Sequence, residues 1–287
     1  MFKILRQTPC LVPAILLFSW ACVSAQNVQY KPVSREIVES RLEKYAGNDK
    51  QREATLKQMF TDAGCGDQQI SEQPVRGSKL SNVICTLPGS SGKTIIVGAH
   101  FDHISDGDGV VDNWSGASLL PSLYEALKAV PRKHTYVFVG FAEEEKGLVG
   151  SEFYVGQMRK GQIAATDAMV NMDTLGLAPT EIWGSHADRG LNAAITLVAR
   201  QIHVTVTDVD VERIGTADSE SFAEKRIPSI TIHSLTPEAW KAHILHSSKD
   251  KITAIHKDDY YQSYGLIAAY LAFLDQISRE QLERKKH

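Results

Sequence analysis

Residues 94–102 read TIIVGAHFD, a nearly apolar run that ends at His100 and Asp102. A short run of this kind is typical of a central strand that is buried on both faces. At its end stand an imidazole and a carboxylate, which bind metals or hold metal ligands in place. The stretch therefore predicts a central strand with a site for chemistry at its carboxyl end.

Comparable strands alternate with helices along the rest of the chain. Further strands are predicted at residues 83–86, 135–141, 168–172 and 229–233, and helices at residues 34–60, 190–201, 219–225 and 258–277. Another helix is predicted to begin after Asp112 and to end before Pro131. This alternation predicts an α/β fold with a largely parallel central sheet, in which ligands bind beyond the carboxyl ends of the strands.

The composition is that of a single globular domain. The chain has 287 residues and a formal net charge of −3, and 43% of its residues are hydrophobic. This is enough apolar material for one large core or two small ones, and one domain is the simplest interpretation. We find no repeat, low-complexity tract or linker, so residues 26–287 are predicted to form one catalytic domain. A charge so close to neutrality provides no field that attracts nucleic acid, and we predict no nucleic-acid partner.

Residues 1–25 read as a secretory signal. Two basic side chains supply its positive region, an apolar core follows at residues 11–20, and small residues precede a cleavage site after Ala25. The apolar run is shorter than the roughly 20 residues of a membrane anchor. A lipoprotein cut before Cys22 is a second alternative, which the bulky Trp20 disfavours. We predict a secreted or periplasmic protein with no membrane attachment after cleavage.

Two cysteines, Cys65 and Cys85, remain after such a cleavage. An even number of cysteines in an exported protein is typical of a disulfide. The two residues flank a predicted antiparallel hairpin with its turn near residues 74–77, so opposite positions can meet within bridging distance. We therefore predict a Cys65–Cys85 disulfide, with two buried thiols as the alternative.

Five side chains of the types that bind zinc stand where apolar runs give way to loops containing Gly or Ser. In chain order they are His100, Asp112, Glu145, Asp173 and His246. Zinc takes imidazole nitrogen and carboxylate oxygen in catalytic sites, and a paired site needs one carboxylate that bridges both ions. The set predicts a two-metal hydrolase.

Some of these assignments stay open on the residues alone. Periodicity does not decide which of the three glutamates at residues 143–145 binds metal and which handles protons. His243 competes with His246 as a ligand. Asp106 and Asp108 are further acids in the loop after His100, but they alternate with glycines, as solvated turn residues do.

Asp102 lies two residues beyond His100, and such residues share a face in an extended segment. Its carboxylate is therefore predicted to orient the imidazole from behind, which fixes the tautomer and raises the basicity of the ligand nitrogen. If His100 and Asp102 are considered alone, the alternative is that His100 has a purely structural role.

At these residues the chain resembles the co-catalytic di-zinc aminopeptidases of the bacterial leucyl aminopeptidase type. That family shares its fold with glutamate carboxypeptidase, glutaminyl cyclase and the transferrin receptor. The likeness extends from about Thr94 to Leu274, and its most specific segments are GAHFD (98–102), DNWSG (112–116), EEKGLVGS (144–151), NMD (171–173) and HSSKD (246–250). It implies one three-layer α/β domain with a mostly parallel mixed sheet and helices on both faces.

The resemblance also implies roles for the residues. The ligands that it implies are His100 and Asp173 for one zinc, Glu145 and His246 for the other, and Asp112 as the bridge between two zinc ions per chain. Glu144 would be the general base for a water that bridges the metals. The implied substrate is a peptide with a free N-terminus, and Glu143 has no assigned role.

Two positions depart from the family pattern. Leu245 stands where a tyrosine often helps to stabilise the oxyanion, and Ala217-Asp218-Ser219 stands where Ser-Asp-His is frequent. The alternatives on the same scaffold are a glutaminyl cyclase with a single zinc, a carboxypeptidase and a binding module that has lost the ligands. A carboxypeptidase needs an arginine cluster that we do not identify, and all five ligand positions are retained, which favours an enzyme over a binding module. The number of zinc ions per chain would separate an aminopeptidase from a cyclase.

Overall fold

The computed structural model describes residues 29–211 and 215–284. In these residues the strands are β1 (Ile70–Pro74), β2 (Ser81–Leu87), β3 (Thr94–His100), β4 (Thr135–Phe141), β5 (Thr166–Met172), β6 (Glu181–Ile182), β7 (Thr207–Asp208) and β8 (Ser229–His233). The helices are α1 (Arg35–Leu42), α2 (Asp49–Asp62), α3 (Ser115–Lys128), α4 (Val149–Gly156), α5 (Lys160–Ala165), α6 (Arg189–Gln201), α7 (Ser219–Ala223), α8 (Pro237–Lys241), α9 (Lys257–Leu274) and α10 (Arg279–Arg284). The predicted signal peptide, residues 1–25, lies outside the described residues. Within them, no helix has both the length and the apolar character that crossing a membrane requires.

The strands of the described residues form one mixed sheet in the order β1-β2-β4-β3-β5-β8-β6-β7. Its central strands β4, β3, β5 and β8 run parallel. Strand β2 pairs antiparallel with β4, and β6 pairs antiparallel with β8. The predicted α/β fold with a mostly parallel mixed sheet is confirmed.

Helices cover both faces of this sheet. On one face α3 packs on β3 and β4, with α1, α2 and α9 against it, over a core that includes Ile95 and Val97. On the other face α7 packs on β5 and β8 and contacts α4, over a core that includes Ile96 and Phe141. Because successive strand residues point to opposite faces, β3 must be apolar on both sides, which explains its sequence.

The single helix predicted at residues 34–60 is in fact two helices, α1 and α2. Gly47 has a φ of 108°, a left-handed conformation that interrupts a helix. Asn48 then caps α2, because its side chain accepts the N–H of Gln51 while the Gln51 side chain accepts the N–H of Asn48. The reciprocal cap starts a new helix at this point.

The predicted disulfide between Cys65 and Cys85 is present. Strands β1 and β2 form the predicted hairpin, but Cys85 lies opposite Ile70 in its register. Cys65 lies between α2 and β1. The bridge therefore ties the end of α2 to β2 instead of joining two opposite positions of the hairpin.

At the amino ends of the central strands, buried His134 lies between two carboxylates. Its Nε2 is 3.3 Å from Asp167 and its Nδ1 is 3.3 Å from Asp275. Lys93 pairs with Asp167 at 3.2 Å, and Asp275 also accepts the N–H groups of Lys133 and His134. Burial lowers the pKa of His134, but the two carboxylates outweigh it and raise the pKa to about 9.

We expect His134 to stabilise the fold in its protonated form and to lose this effect in alkali. Since its pKa of about 9 in the folded chain exceeds the ordinary 6.5, the stabilisation is complete below about pH 6.5 and disappears as the pH rises through 9. Its size is on the order of 3 kcal/mol. Urea unfolding at about pH 6 and about pH 10 should show that His134→Gln lowers the free energy of unfolding much more at the lower pH. An equal loss at both pH values would contradict this role.

Candidate metal centre

The carboxyl ends of the central strands bring the site residues together. Their positions are His100 at the end of β3, Asp112 in the turn before α3, Glu144 and Glu145 after β4, Asp173 after β5, and His246 in the loop after α8. All of them line one cavity of about 630 Å³. Since parallel strands end at the same edge of a sheet, residues that are distant in sequence meet at this edge.

Asp112 stands between two groups of potential ligand atoms. Its Oδ1 is 3.3 Å from Nε2 of His100, and that nitrogen is 3.7 Å from Oδ1 of Asp173. Its Oδ2 is 3.1 Å from Nε2 of His246, and that nitrogen is 3.0 Å from Oε2 of Glu145. The Asp112 carboxylate thus faces a histidine–aspartate pair on one side and a histidine–glutamate pair on the other.

The two groups fit zinc. Zinc–ligand bonds of about 2.0–2.2 Å in tetrahedral geometry place neighbouring ligand atoms roughly 3.3 Å apart. The distances around Asp112 run from 3.0 to 3.7 Å. In addition, Oε1 of Glu145 is buried without a hydrogen-bond partner, which is costly unless a cation satisfies it. The donor set, two imidazoles and several carboxylates, is one from which catalytic zinc sites are built.

Negative charge is concentrated at this centre. Burial and the neighbouring carboxylates raise the pKa of Glu144 to about 10, and burial also raises the pKa of Asp173. Hydrogen bonds with Asp112 and Glu145 raise the pKa of His246 to about 10. Protons are therefore held tightly among these groups, and divalent cations in the same positions would neutralise the same carboxylates.

Asp102 faces Nδ1 of His100 with both its main chain and its side chain. Nδ1 lies 3.2 Å from the carbonyl oxygen of Asp102 and 3.6 Å from its carboxylate, which is within ion-pair distance. The carboxylate also accepts the N–H of Glu144 at 3.1 Å and that of Glu145 at 3.2 Å. Asp102 therefore contacts three site residues.

Asn113 connects the turn of Asp112 to the segment of Asp173. The peptide bond between Asp112 and Asn113 is cis. The buried Asn113 side chain donates through Nδ2 to the carbonyl of Met172 at 2.9 Å, and its Oδ1 accepts the N–H of Thr174 at 3.2 Å. Since these two residues flank Asp173, one side chain holds both acids in register.

Glu143, the glutamate without an assigned role, anchors the loop from outside the cavity. Its carboxylate accepts the hydroxyl of Ser78 and pairs with Lys146. The contact with Ser78 ties the turn between β1 and β2 to the segment that carries Glu144 and Glu145. Glu143 therefore has a structural role in this fold.

The remaining cavity wall is mainly apolar. Its large side chains are Trp183, Val211, Leu235, Trp240 and Leu245. Trp183 is buried, whereas Trp240 is 39% exposed and lies at the mouth. The ring of His243 packs beside Trp240 with a centroid distance of 6.4 Å, while it is His246 that reaches the carboxylates.

Asp218 is a buried acid beside the site. In the sequence, this residue was noted only as part of a departure from the family pattern. Burial raises its pKa to about 7, and its charge interacts with His100 and Asp173. Neither of its oxygens has a hydrogen bond of good geometry within the described residues. Apart from that departure, the sequence does not indicate a functional role for a single acid before a short helix.

Comparison with known proteins gives one family and several relatives. The family model of peptidase family M28 matches residues 82–271. Aminopeptidase YwaD of Bacillus subtilis (strain 168) is 26% identical over 227 residues, which cover 76% of this chain and 47% of that protein. The chain therefore spans about half the length of that relative.

Two solved structures show how far the fold is shared. The zinc aminopeptidase BSAP from Bacillus subtilis aligns with a TM-score of 0.61 at 23% identity, covering 67% of this chain and 49% of that one. A glutaminyl cyclase from an Acidobacteriales bacterium aligns with a TM-score of 0.72 at 16% identity, covering 86% of this chain and 97% of that one. At such identities these likenesses establish the fold.

Proposed function

This chain belongs to peptidase family M28, and from that premise we propose that it is a zinc-dependent aminopeptidase, which removes N-terminal residues from peptides. The observation that carries the proposal is the position of Asp112, whose two oxygens face two different histidines at 3.3 Å and 3.1 Å. A carboxylate in that position is what a pair of metal ions requires as a bridge. Aminopeptidase YwaD, one of the curated relatives, supports the choice of peptide hydrolysis as the reaction.

We propose two zinc ions per chain. The proposed ligands are His100 and Asp173 for one ion, Glu145 and His246 for the other, and Asp112 for both. Bound zinc supplies a Lewis acid for the scissile carbonyl and lowers the pKa of water toward about 7. The protein contributes ligands that are fixed in advance by Asp102 and Asn113.

Glu144 is the proposed general base. It lines the cavity, its Oε2 lies 3.8 Å from Nε2 of His100, and its N–H is held by Asp102. Its carboxylate would accept the proton of the attacking water and later pass it to the leaving amine. Cations that neutralise the neighbouring acids would lower its pKa from about 10 toward the range in which it can do both.

A panel of aminoacyl amides, assayed with and without a chelator, tests this proposal. Because the cavity wall is mainly apolar, we expect leucine and phenylalanine amides to be hydrolysed about 10-fold faster or more than the glutamate amide. N-acetyl-leucine amide is the matched control and should not be cleaved. Chelation should abolish activity and added zinc should restore it. Equal cleavage of the acetylated substrate, or no hydrolysis by zinc-loaded protein, would contradict the proposal.

Glutaminyl cyclisation is the second candidate, because the aligned glutaminyl cyclase has the same fold. A cyclase with one zinc would convert an N-terminal glutaminyl peptide to its pyroglutamyl form and leave leucine amide intact. The same panel with that peptide added separates the two activities.

We also propose that the protein is exported to the periplasm or secreted. The predicted signal at residues 1–25 supports this location, and so does the Cys65–Cys85 disulfide, since such bonds persist mainly in oxidising compartments.

A further inference from the structure

Buried Asp250 holds the main chain of the turn that carries Asp112. Its Oδ1 accepts the N–H groups of Val110 at 2.8 Å and of Val111 at 2.7 Å, and its Oδ2 accepts the N–H of Asp112 at 3.0 Å. Asp250 is only 2% exposed. Three consecutive N–H groups that converge on one charged carboxylate fix this backbone, and without it they would be buried and unsatisfied.

Arg52 of α2 contacts the carbonyl groups of the same loop. Its guanidinium donates to the carbonyl oxygens of Phe101 at 3.3 Å and Gly109 at 3.0 Å, and also to that of Asp108. Arg52 is 1% exposed. The loop that joins two of the proposed ligands therefore binds a buried arginine through its carbonyls and a buried aspartate through its N–H groups.

Asp250 belongs to the loop that carries His246, four residues earlier in the chain. Its N–H donates to the carbonyl of Ser247 at 3.0 Å, and its carbonyl accepts the N–H of Asp108 at 2.7 Å. At Gly107 a Cβ atom would lie 2.2 Å from the carbonyl oxygen of Ser247, so the two loops are in direct contact. The loop that carries His246 and the loop that carries Asp112 thus form one unit.

We propose that Asp250 is a positioning residue for the metal centre. It fixes the main chain at Asp112 from within the loop of His246, and so it sets the distance between the bridging carboxylate and that histidine. Two ligands of one zinc must lie roughly 3.3 Å apart, and Asp112 faces both proposed ions, so a displaced Asp112 weakens both. This inference rests on the proposed two-zinc centre.

The substitution Asp250→Asn tests this positioning role, because asparagine has nearly the same shape as aspartate. The amide oxygen of asparagine can still accept the N–H groups of Val110 and Val111, but its NH2 group then faces the N–H of Asp112, and that bond is lost. We expect zinc dissociation constants about 10- to 100-fold higher than in the wild type, the effect typical of residues that orient metal ligands. Competition with a chromophoric chelator measures them directly.

Asp275→Asn is the matched control. Asp275 is also buried, and its carboxylate accepts main-chain N–H groups, those of Lys133 and His134, at the opposite end of the sheet. The variant should lower the thermal stability of the chelated protein but keep its zinc affinity within about twofold of the wild type, since distant sites act independently.

Wild-type zinc affinity in Asp250→Asn, or an equal loss of affinity in Asp275→Asn, would overturn the proposal. A wild-type chain that binds no zinc would instead overturn the proposed function. Should Asp250→Asn fail to fold, Arg52→Lys tests the same loop, because lysine keeps the charge but lacks the planar fork that bonds several carbonyls at once. Weaker zinc binding is again expected, and unchanged binding would count against the positioning role.

Discussion

Glu144→Gln is expected to lower the turnover of leucine amide by about 10²- to 10⁴-fold while the protein keeps its zinc. Glutamine has nearly the shape of glutamate but cannot accept the proton of the attacking water. The proposed ligands around Asp112 are unchanged in this variant. The test is kcat together with elemental analysis of zinc on the same preparation. Wild-type turnover would show that Glu144 is not the base.

The adjacent Glu143 offers a matched control. Glu143→Gln also removes one negative charge, but that charge pairs with Lys146 and accepts the hydroxyl of Ser78 outside the cavity. We expect turnover close to the wild type. If this variant lost as much activity as Glu144→Gln, the assignment of roles within the three glutamates would be wrong.

Asp112→Asn is expected to reduce the zinc content from about two ions per chain to one or none and to lower turnover by about 10³-fold or more. An amide has one oxygen that binds metal, and its NH2 group has no free lone pair for the second ion. Loss of a metal removes several kcal/mol of transition-state stabilisation, and each 1.36 kcal/mol is about tenfold in rate. Zinc content and kcat are measured on the same samples.

Asp106→Asn controls for the loss of a charge in the same loop. Asp106 is exposed, and the sequence favours a solvated turn at that position. The variant should retain both zinc content and activity. If it lost zinc as Asp112→Asn does, the bridge would have to be assigned to a different acid of this loop.

The sequence predicted the central part of the fold well because that part has the simplest pattern. The predicted strands at residues 135–141 and 229–233 coincide with β4 and β8, since both are short runs rich in β-branched or aromatic residues. The short strands β6 and β7, of two residues each, were not predicted. They are too short for a periodic pattern and depend on pairing with neighbours that are distant in sequence.

The site residues that directly follow a strand could be predicted from the sequence. The ends of β3, β4 and β5 point to His100, to the three glutamates and to Asp173 without any reference to a family. The choice among the glutamates and the bridging position of Asp112 came from the resemblance. Periodicity carries no information on which side chain of a loop turns toward a cavity.

The contacts that hold the site in shape were less accessible to sequence reasoning. Asp250 lies 138 residues from Asp112, and the resemblance includes it in the segment 246–250 without giving it a role. Asp102 was predicted to act on His100 through its carboxylate, and that group also binds the backbone after β4. Such outcomes depend on which buried N–H groups need a partner, and only the folded chain determines that.

The zinc content of freshly purified wild-type protein, before and after titration with zinc, is the direct test of the two-cation centre. We predict about two zinc ions per chain, removable by a chelator together with activity and restored with it. Saturation at one ion per chain would contradict the bridging role of Asp112 and favour a cyclase. A protein that neither contains zinc nor takes it up on titration would contradict the metal centre as a whole.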